Sequence, residues 1–220
     1  MKSPLKITWK SEIVPLSAVL LSIAVSIASY SQLPEKVITH WNFYGQADGW
    51  SSRNFHVMFF PALLAAMYLL FSALPLIDPK KERYAEFSKV YNVFRNLLMA
   101  VMFAVFLIAT LVNLGYDIDV SRTVSFLIGL MMIVMGNYMG KIKNNWFMDI
   151  RTPWTLSSEI VWQKTHRLGG VMFVLFGLIL MVTPYLPANI ALVLFLAGIF
   201  GVVVIPMVAS YLFYRKEKGK

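Results

Sequence analysis

His40, Asp48 and His56 are of the types that could hold a metal ion. A zinc site needs three or four ligands in a recognisable spacing. Here the spacing is not diagnostic, no fourth ligand presents itself and the chain has no cysteine, so neither a metal nor a cofactor is expected. Signatures of nucleophilic and nucleotide chemistry are also missing: there is no His-Glu-x-x-His, Gly-x-Ser-x-Gly or Gly-x-Gly-x-x-Gly. The run from Gly136 to Gly140-Lys141 approaches a phosphate loop. It is one residue short, and Ile142 stands where a hydroxyl would hold magnesium. No enzymatic activity is expected.

What remains is chemistry of recognition, in two strips. The first contains His40, Trp41, Asn42, Asp48 and Trp50. Val37, Thr39, Trp41 and Phe43 alternate with Ile38, His40, Asn42 and Tyr44, a period of two that predicts a short extended piece, and Asp48-Gly49 predicts a turn. Amphipathic rings suit the headgroup zone of a membrane. The strip therefore reads either as a cap over helix ends or as a surface that meets a ligand. The second strip contains Arg151, Thr152, Pro153, Trp154, Glu159, Trp162, His166 and Arg167. Pro153 biases Thr152 away from helix, and Thr155 is the expected N-cap, with Glu159 in the following turn. Trp162, His166 and Gly170 share one helical face, and Ile150, Trp154 and Trp162 are expected at the membrane interface. Arg151, Lys164, His166 and Arg167 then make a basic, aromatic ledge. Such a ledge serves either to anchor anionic lipid or to dock a protein partner.

The elements that must position these strips are membrane helices. Of 220 residues, 58% are hydrophobic and 14% charged, against roughly 45–50% and about 25% in ordinary globular domains. Six spans are read at 13–31, 55–76, 97–114, 124–140, 168–185 and 190–213, none containing Asp, Glu, Lys or Arg. The expected fold is an all-α, polytopic bundle of six transmembrane helices. Residues 1–76 form a two-span hairpin carrying the first strip, and 77–220 form a four-span region carrying the second. With no carboxylate or histidine counted inside the membrane, a proton or ion relay is not expected.

Of the 20 Lys and Arg residues, 17 fall in the N-terminal segment, loops two and four and the C-terminus, and 3 fall on the other side. The positive-inside rule then puts both termini in the cytosol. The net charge of +9 reflects this topology, and no direct nucleic-acid partner is expected. The first apolar stretch, about 19 residues, exceeds the 7–15 of a signal-peptide core, so cleavage is not expected.

Several local features are expected to serve packing. Ala18, Ser22 and Ser26, and the Gly136…Gly140 pair, offer small-residue faces for another helix and leave self-association open. Pro15, Pro61 and Pro206 are expected to kink or break their helices. A single helix is expected over 79–114, with Asp78 as N-cap, Pro79 at its first position and Gly115 as its stop. Its projecting stripe of Tyr84, Phe87, Tyr91 and Phe94 should pack on the fourth loop.

Residues 137–170, with Arg151-Thr152-Pro153-Trp154-Thr155-Leu156 and Trp162…Thr165-His166-Arg167-Leu168-Gly169-Gly170, resemble the SdpI family of bacterial integral membrane proteins. Leu33-Pro34…His40-Trp41-Asn42…Gly45…Asp48-Gly49-Trp50 resembles the small domain of unknown function often found at the N-terminus of longer members. The best-known member is an immunity protein that protects producer cells from a secreted killing peptide and draws a transcriptional repressor to the membrane. The resemblance implies a multi-pass protein of the bacterial cell membrane. Its outer strip would meet a toxin peptide and its inner strip would hold a cytosolic repressor. Asp149 stands where members usually carry Gly. A transporter or enzyme of unknown substrate, and a structural envelope protein, are the alternative readings.

Overall fold

Six long helices follow from runs of apolar residues that can satisfy their backbone hydrogen bonds only internally once in lipid. The computed structural model describes residue 5 and residues 8–148 and 150–219. Lys2, Lys6 and Lys220, counted in the charge asymmetry, and Asp149, the departure from the resembled family, lie outside the described residues. The order is α1 (Trp9–Ser29), β1 (Lys36–Trp41), β2 (Ala47–Ser52), α2 (Arg53–Ile77), α3 (Tyr84–Asn113), α4 (Val120–Met139), α5 (Pro153–Ser157), α6 (Glu159–Val182) and α7 (Ala188–Lys218). All but α5 among the helices are long and apolar enough to cross a membrane. The chain is a polytopic helical membrane protein, as its composition implied.

The chain divides into two compact units. One comprises residues 7–73 and 95–127. Here the small face of α1 is buried, with Ser22 wholly enclosed and Ala18 packed on Leu64 and Met99. Arg95 donates to Glu12 Oε1 at 2.9 Å and to the Ser11 carbonyl at 2.6 Å, and Tyr68 donates to Glu12 Oε2 at 3.2 Å. A charge counted as part of a cytosolic loop is thus inside α3 and buried with its partner.

The other unit comprises residues 1–6, 74–94 and 128–220. Its core joins Tyr84, Phe87, Tyr91 and Phe94 to Met139, Ile142 and Trp162, with Met148 and Ile150 packed against them. The aromatic stripe does rest on the fourth loop. In α4 and α6 the glycines allow backbone contact: a Cβ on Gly136 would lie 2.5 Å from the Gly170 carbonyl oxygen, and one on Gly129 2.6 Å from that of Gly177. These small residues are occupied within the chain.

Three local expectations are corrected. Pro15, Pro61 and Pro206 do not break α1, α2 and α7, whose helical ranges run through them. The helix expected to begin at Pro79 begins at Tyr84, after a 3-10 turn over Lys81–Arg83, and Phe87 (φ −127°, ψ 23°) interrupts it. Asp78 is the reason. Its Oδ1 accepts from the Lys80 N–H at 2.7 Å, and its Oδ2 accepts from Tyr84 Oη and the Trp146 N–H, both at 2.9 Å. The expected cap is a buried hub tied to the fourth loop. Thirdly, His56 lies inside α2 with no exposure, bonded to Thr110 at 3.0 Å, so a histidine does sit within a span. Gly115 does end α3, at φ +91°, with the Tyr116 N–H returning to the Leu111 carbonyl at 3.1 Å.

Candidate functional site

The first strip forms an antiparallel hairpin. Lys36 pairs with Ser52, Val37 with Ser51 and Ile38 with Trp50. The register then shifts, so that His40 faces Gly49 and Trp41 faces Ala47. The turn lies at 42–46, not at Asp48-Gly49. Asn42 Oδ1 accepts from the Tyr44 N–H at 2.9 Å and the Gln46 N–H at 3.0 Å, and Gly45 takes φ +77°. These two residues supply what the reversal needs: a side-chain acceptor and a left-handed backbone. Gly49 serves a different purpose, since a Cβ there would stand 2.8 Å from His40 Cβ. It permits the close strand approach at the bulge.

The hairpin is held from beneath. Val37 is fully buried, and the Asn113 side chain mimics a neighbouring strand. Its Oδ1 accepts from the Ile38 N–H at 2.8 Å and its Nδ2 donates to the Ile38 carbonyl at 2.9 Å. The upper face remains open. His40 Nδ1 meets Asp48 Oδ1 at 2.5 Å, with 70% and 43% of the side chains exposed. Trp50 is half exposed, with the Lys36 ammonium 5.1 Å from its ring centroid. Trp41 and Asn42 are partly buried, and Asn42 is committed to the turn. His40, Asp48 and Trp50 are therefore the predicted residues that present exposed polar or aromatic surface. His56 does not join them. Among the described residues no three His, Cys, Asp or Glu side chains come together as metal ligands would.

The second strip folds on itself. Thr152, rather than Thr155, caps α5. The Thr152 hydroxyl accepts from the Thr155 N–H at 3.1 Å, and the Thr155 hydroxyl accepts from the Thr152 N–H at 2.9 Å, a reciprocal capping box with Pro153 at the first helical position. Thr152 also bonds Ser210 at 3.0 Å. Ser158 caps α6, accepting from the Val161 N–H at 3.3 Å and donating to Glu217 at 2.6 Å. Glu159 pairs with Arg83. Trp154 packs on Tyr211, ring centroids 5.0 Å apart.

Trp162 is buried in the protein core, not held at a membrane interface. Its Nε1 donates to the Ile142 carbonyl at 2.9 Å and its ring stacks on His166 at 4.2 Å. His166 is enclosed too. Its Nδ1 donates to the Trp162 carbonyl at 2.8 Å while Nε2 accepts from the Ile150 N–H at 3.2 Å. That pattern requires a neutral ring protonated on Nδ1. His166 therefore contributes no charge to the expected basic ledge. Arg151 and Arg167 are exposed, and Arg151 donates to the Trp146 carbonyl.

Sequence reading missed the roles of the residues holding these strips in place: Asp78, taken only for an N-cap, Asn113 and the fully buried Asn145. Asn145 Oδ1 accepts from the Phe147 and Met148 N–H groups at 2.9 and 2.7 Å. Their available signal was isolation. Each is a lone carboxyl or amide beside a long apolar run or in an Asn-Asn pair, where an unpaired polar group would be costly.

This geometry, six apolar helices with a bulged hairpin after the first and a capped Arg-Thr-Pro-Trp segment after the fourth, defines a multi-pass cell-membrane protein. Residues 141–210 match the SdpI/YfhL protein family, and residues 18–65 match a domain of unknown function, DUF1648. The two matches fall in the order the motifs led us to expect, and over 141–210 this membrane protein is similar to the SdpI/YfhL family. A relative, the immunity protein SdpI of Bacillus subtilis (strain 168), is 26% identical over 210 residues, covering 96% of this chain and 99% of that protein. No solved structure matches the chain.

Proposed function

We propose that this chain is a membrane immunity protein that protects its cell from a secreted toxic peptide by binding, without catalysis. The observation that carries this reading is the end-to-end alignment with an immunity protein, which spans both strips and every helix between them. The open face of His40, Asp48 and Trp50 supports the hairpin as the toxin contact, because the hairpin is anchored from below while these side chains stay exposed above, paired only within the hairpin. The charge asymmetry supports cytosolic termini, and the odd number of spans between the hairpin and the Arg-Thr-Pro-Trp segment, three, supports their lying on opposite membrane faces.

The test is survival of cells carrying the gene under a panel of secreted antimicrobial peptides. Wild type should protect against at least one, and the double variant His40→Ala, Trp50→Ala should lose that protection while reaching the membrane in equal amount. Full protection by the double variant removes the hairpin from the mechanism. No protection by wild type against any peptide that kills the parent strain removes immunity itself.

The inner strip is read as the contact for a cytosolic repressor, through exposed Arg151 and partly exposed Trp154. Arg151→Ala with Trp154→Ala should recover less of that partner in pulldowns from toxin-treated cells. Identical recovery by wild type and variant would make the strip a lipid anchor.

A further inference from the structure

On one side of α1, Ile23, Ser26, Ile27 and Tyr30 follow the i, i+3, i+4, i+7 spacing. They face Val57 and Pro61 of α2 across an open groove of about 380 Å³ whose lining is almost wholly apolar. That volume lies within the range of roughly 300–1,000 Å³ typical of small-ligand clefts. Two features separate it from an ordinary gap between helices.

One is Ser26. Ser22 and Ser29, on the same helix, donate back to the carbonyls of Val19 and Val25, both at 2.7 Å. Ser26 lines the groove at 7% exposure, and its hydroxyl has no hydrogen-bond partner among the described residues. An unpaired hydroxyl in an apolar wall is costly unless something brings an acceptor to it.

The other is Arg53, one turn before Val57 on α2. Its guanidinium lies over the Tyr30 ring, 4.7 Å from the centroid, where Tyr30 Oη donates to Asn54 Oδ1 at 2.8 Å and ties the two helices together. Nη1 donates to the Leu33 carbonyl at 3.1 Å, Nε is unpaired, and no carboxylate neutralises the charge among the described residues.

From the hairpin end inward the groove therefore offers a cation, then a hydroxyl donor one turn deeper (about 6 Å along a helix), then aliphatic walls. A glycerophospholipid presents matching groups in the same order: phosphate, ester carbonyl, acyl chain. We propose that this groove is a binding site for one anionic diacyl phospholipid. Its phosphate sits at Arg53, an ester carbonyl accepts from Ser26 Oγ, and one acyl chain lies between Ile23 and Pro61. Arg matches phosphate geometry with paired donors, which favours it as the headgroup contact. Little of α2 is fully buried, and Phe55, Met58 and Phe59 beside the groove are exposed, so in the membrane the groove mouth opens onto the acyl chains from which such a lipid would enter.

Native mass spectrometry of the delipidated full-length chain, titrated with phosphatidylglycerol, phosphatidylcholine or oleate, tests the site. One phosphatidylglycerol should bind about fivefold more tightly than phosphatidylcholine, the scale of one cation near an anionic headgroup. Arg53→Gln should erase that preference. Ser26→Ala should weaken both phospholipids a few-fold, the scale of one hydrogen bond, without lowering the melting temperature. Lys216→Gln, which removes the same charge from the far end of α7, should change nothing. Equal binding of the two phospholipids by wild type, or an Arg53→Gln profile matching that of Lys216→Gln, overturns the proposal. Oleate binding as tightly as phosphatidylglycerol would overturn the two-chain, phosphate-headed ligand.

Discussion

The two strips are built from the same alphabet, histidine and tryptophan beside charged residues, yet the fold treats them oppositely. In the hairpin, His40 and Trp50 stand outside: the imidazole is most of the way into solvent and the indole half so. In the fourth loop and α6, His166 and Trp162 are enclosed, stacked on one another and saturated with backbone partners. A polar or aromatic side chain that satisfies the protein's own backbone specifies structure. One held in place but left without a buried obligation is available to a ligand. By that criterion the hairpin is the better candidate for the proposed recognition surface, and much of the Arg-Thr-Pro-Trp region is framework with a thin exposed edge.

The sharpest way to break the contrast is through Trp162. Trp162→Ala deletes a core aromatic and leaves the Ile142 carbonyl and the His166 ring without their contacts. Truncating a buried aromatic typically costs about 3–5 kcal/mol. The expected result is a large fall in melting temperature in detergent and poor recovery of monodisperse protein, with Trp162→Phe intermediate because it keeps the ring and loses the N–H donor. A Trp162→Ala protein as stable as wild type would mean this region is not framework.

A smaller effect is expected at the support of the hairpin. Asn113→Ala removes the side chain that both donates to and accepts from Ile38. Leaving those groups unpaired costs on the order of 1–3 kcal/mol. Because the loss is confined to the attachment of β1, limited proteolysis at 36–52 should accelerate while the global melting temperature moves little. If cleavage there is unchanged, Val37 and the α2 junction hold the hairpin without Asn113.

How much of this was legible in sequence depends on whether one residue's neighbours decided its fate. Helix number and the burial of Ala18, Ser22 and Ser26 were readable, because lipid imposes long apolar runs and small residues sit where helices touch. Gly115 as a stop was readable because the left-handed backbone it supplies is local. Asp78 was not, since the same carboxylate suits an N-cap at Pro79 and a hub for Tyr84 and Trp146, and only the fold brings Trp146 to it. The hairpin turn was misassigned because Asp-Gly is a strong turn pair. Asn42 and Gly45 offered a reversal with two side-chain bonds, and Gly49 was required at the bulge opposite His40. Arg95 was taken for a loop charge because its partner Glu12 lies in the first helix, 83 residues away. The residue types of the two strips were legible. Their exposure was hidden, because His and Trp serve equally well as ligand contacts and as satisfied core.

The smallest expected change in stability is therefore the most informative. His40→Ala with Trp50→Ala removes an exposed imidazole–carboxylate pair and a half-exposed indole resting near Lys36. Exposed ion pairs contribute only ~0–1 kcal/mol, and surface substitutions away from special features usually shift stability by about 0.5 kcal/mol or less. The double variant should melt within a degree or two of wild type and give an unchanged far-ultraviolet spectrum. Loss of protection alongside that near-silence in stability would separate recognition from folding, which truncation at Trp162 cannot do. A large destabilisation would mean the hairpin face is structural after all. The difference between the two strips would then be one of degree, and toxin contact would have to be sought elsewhere on the chain.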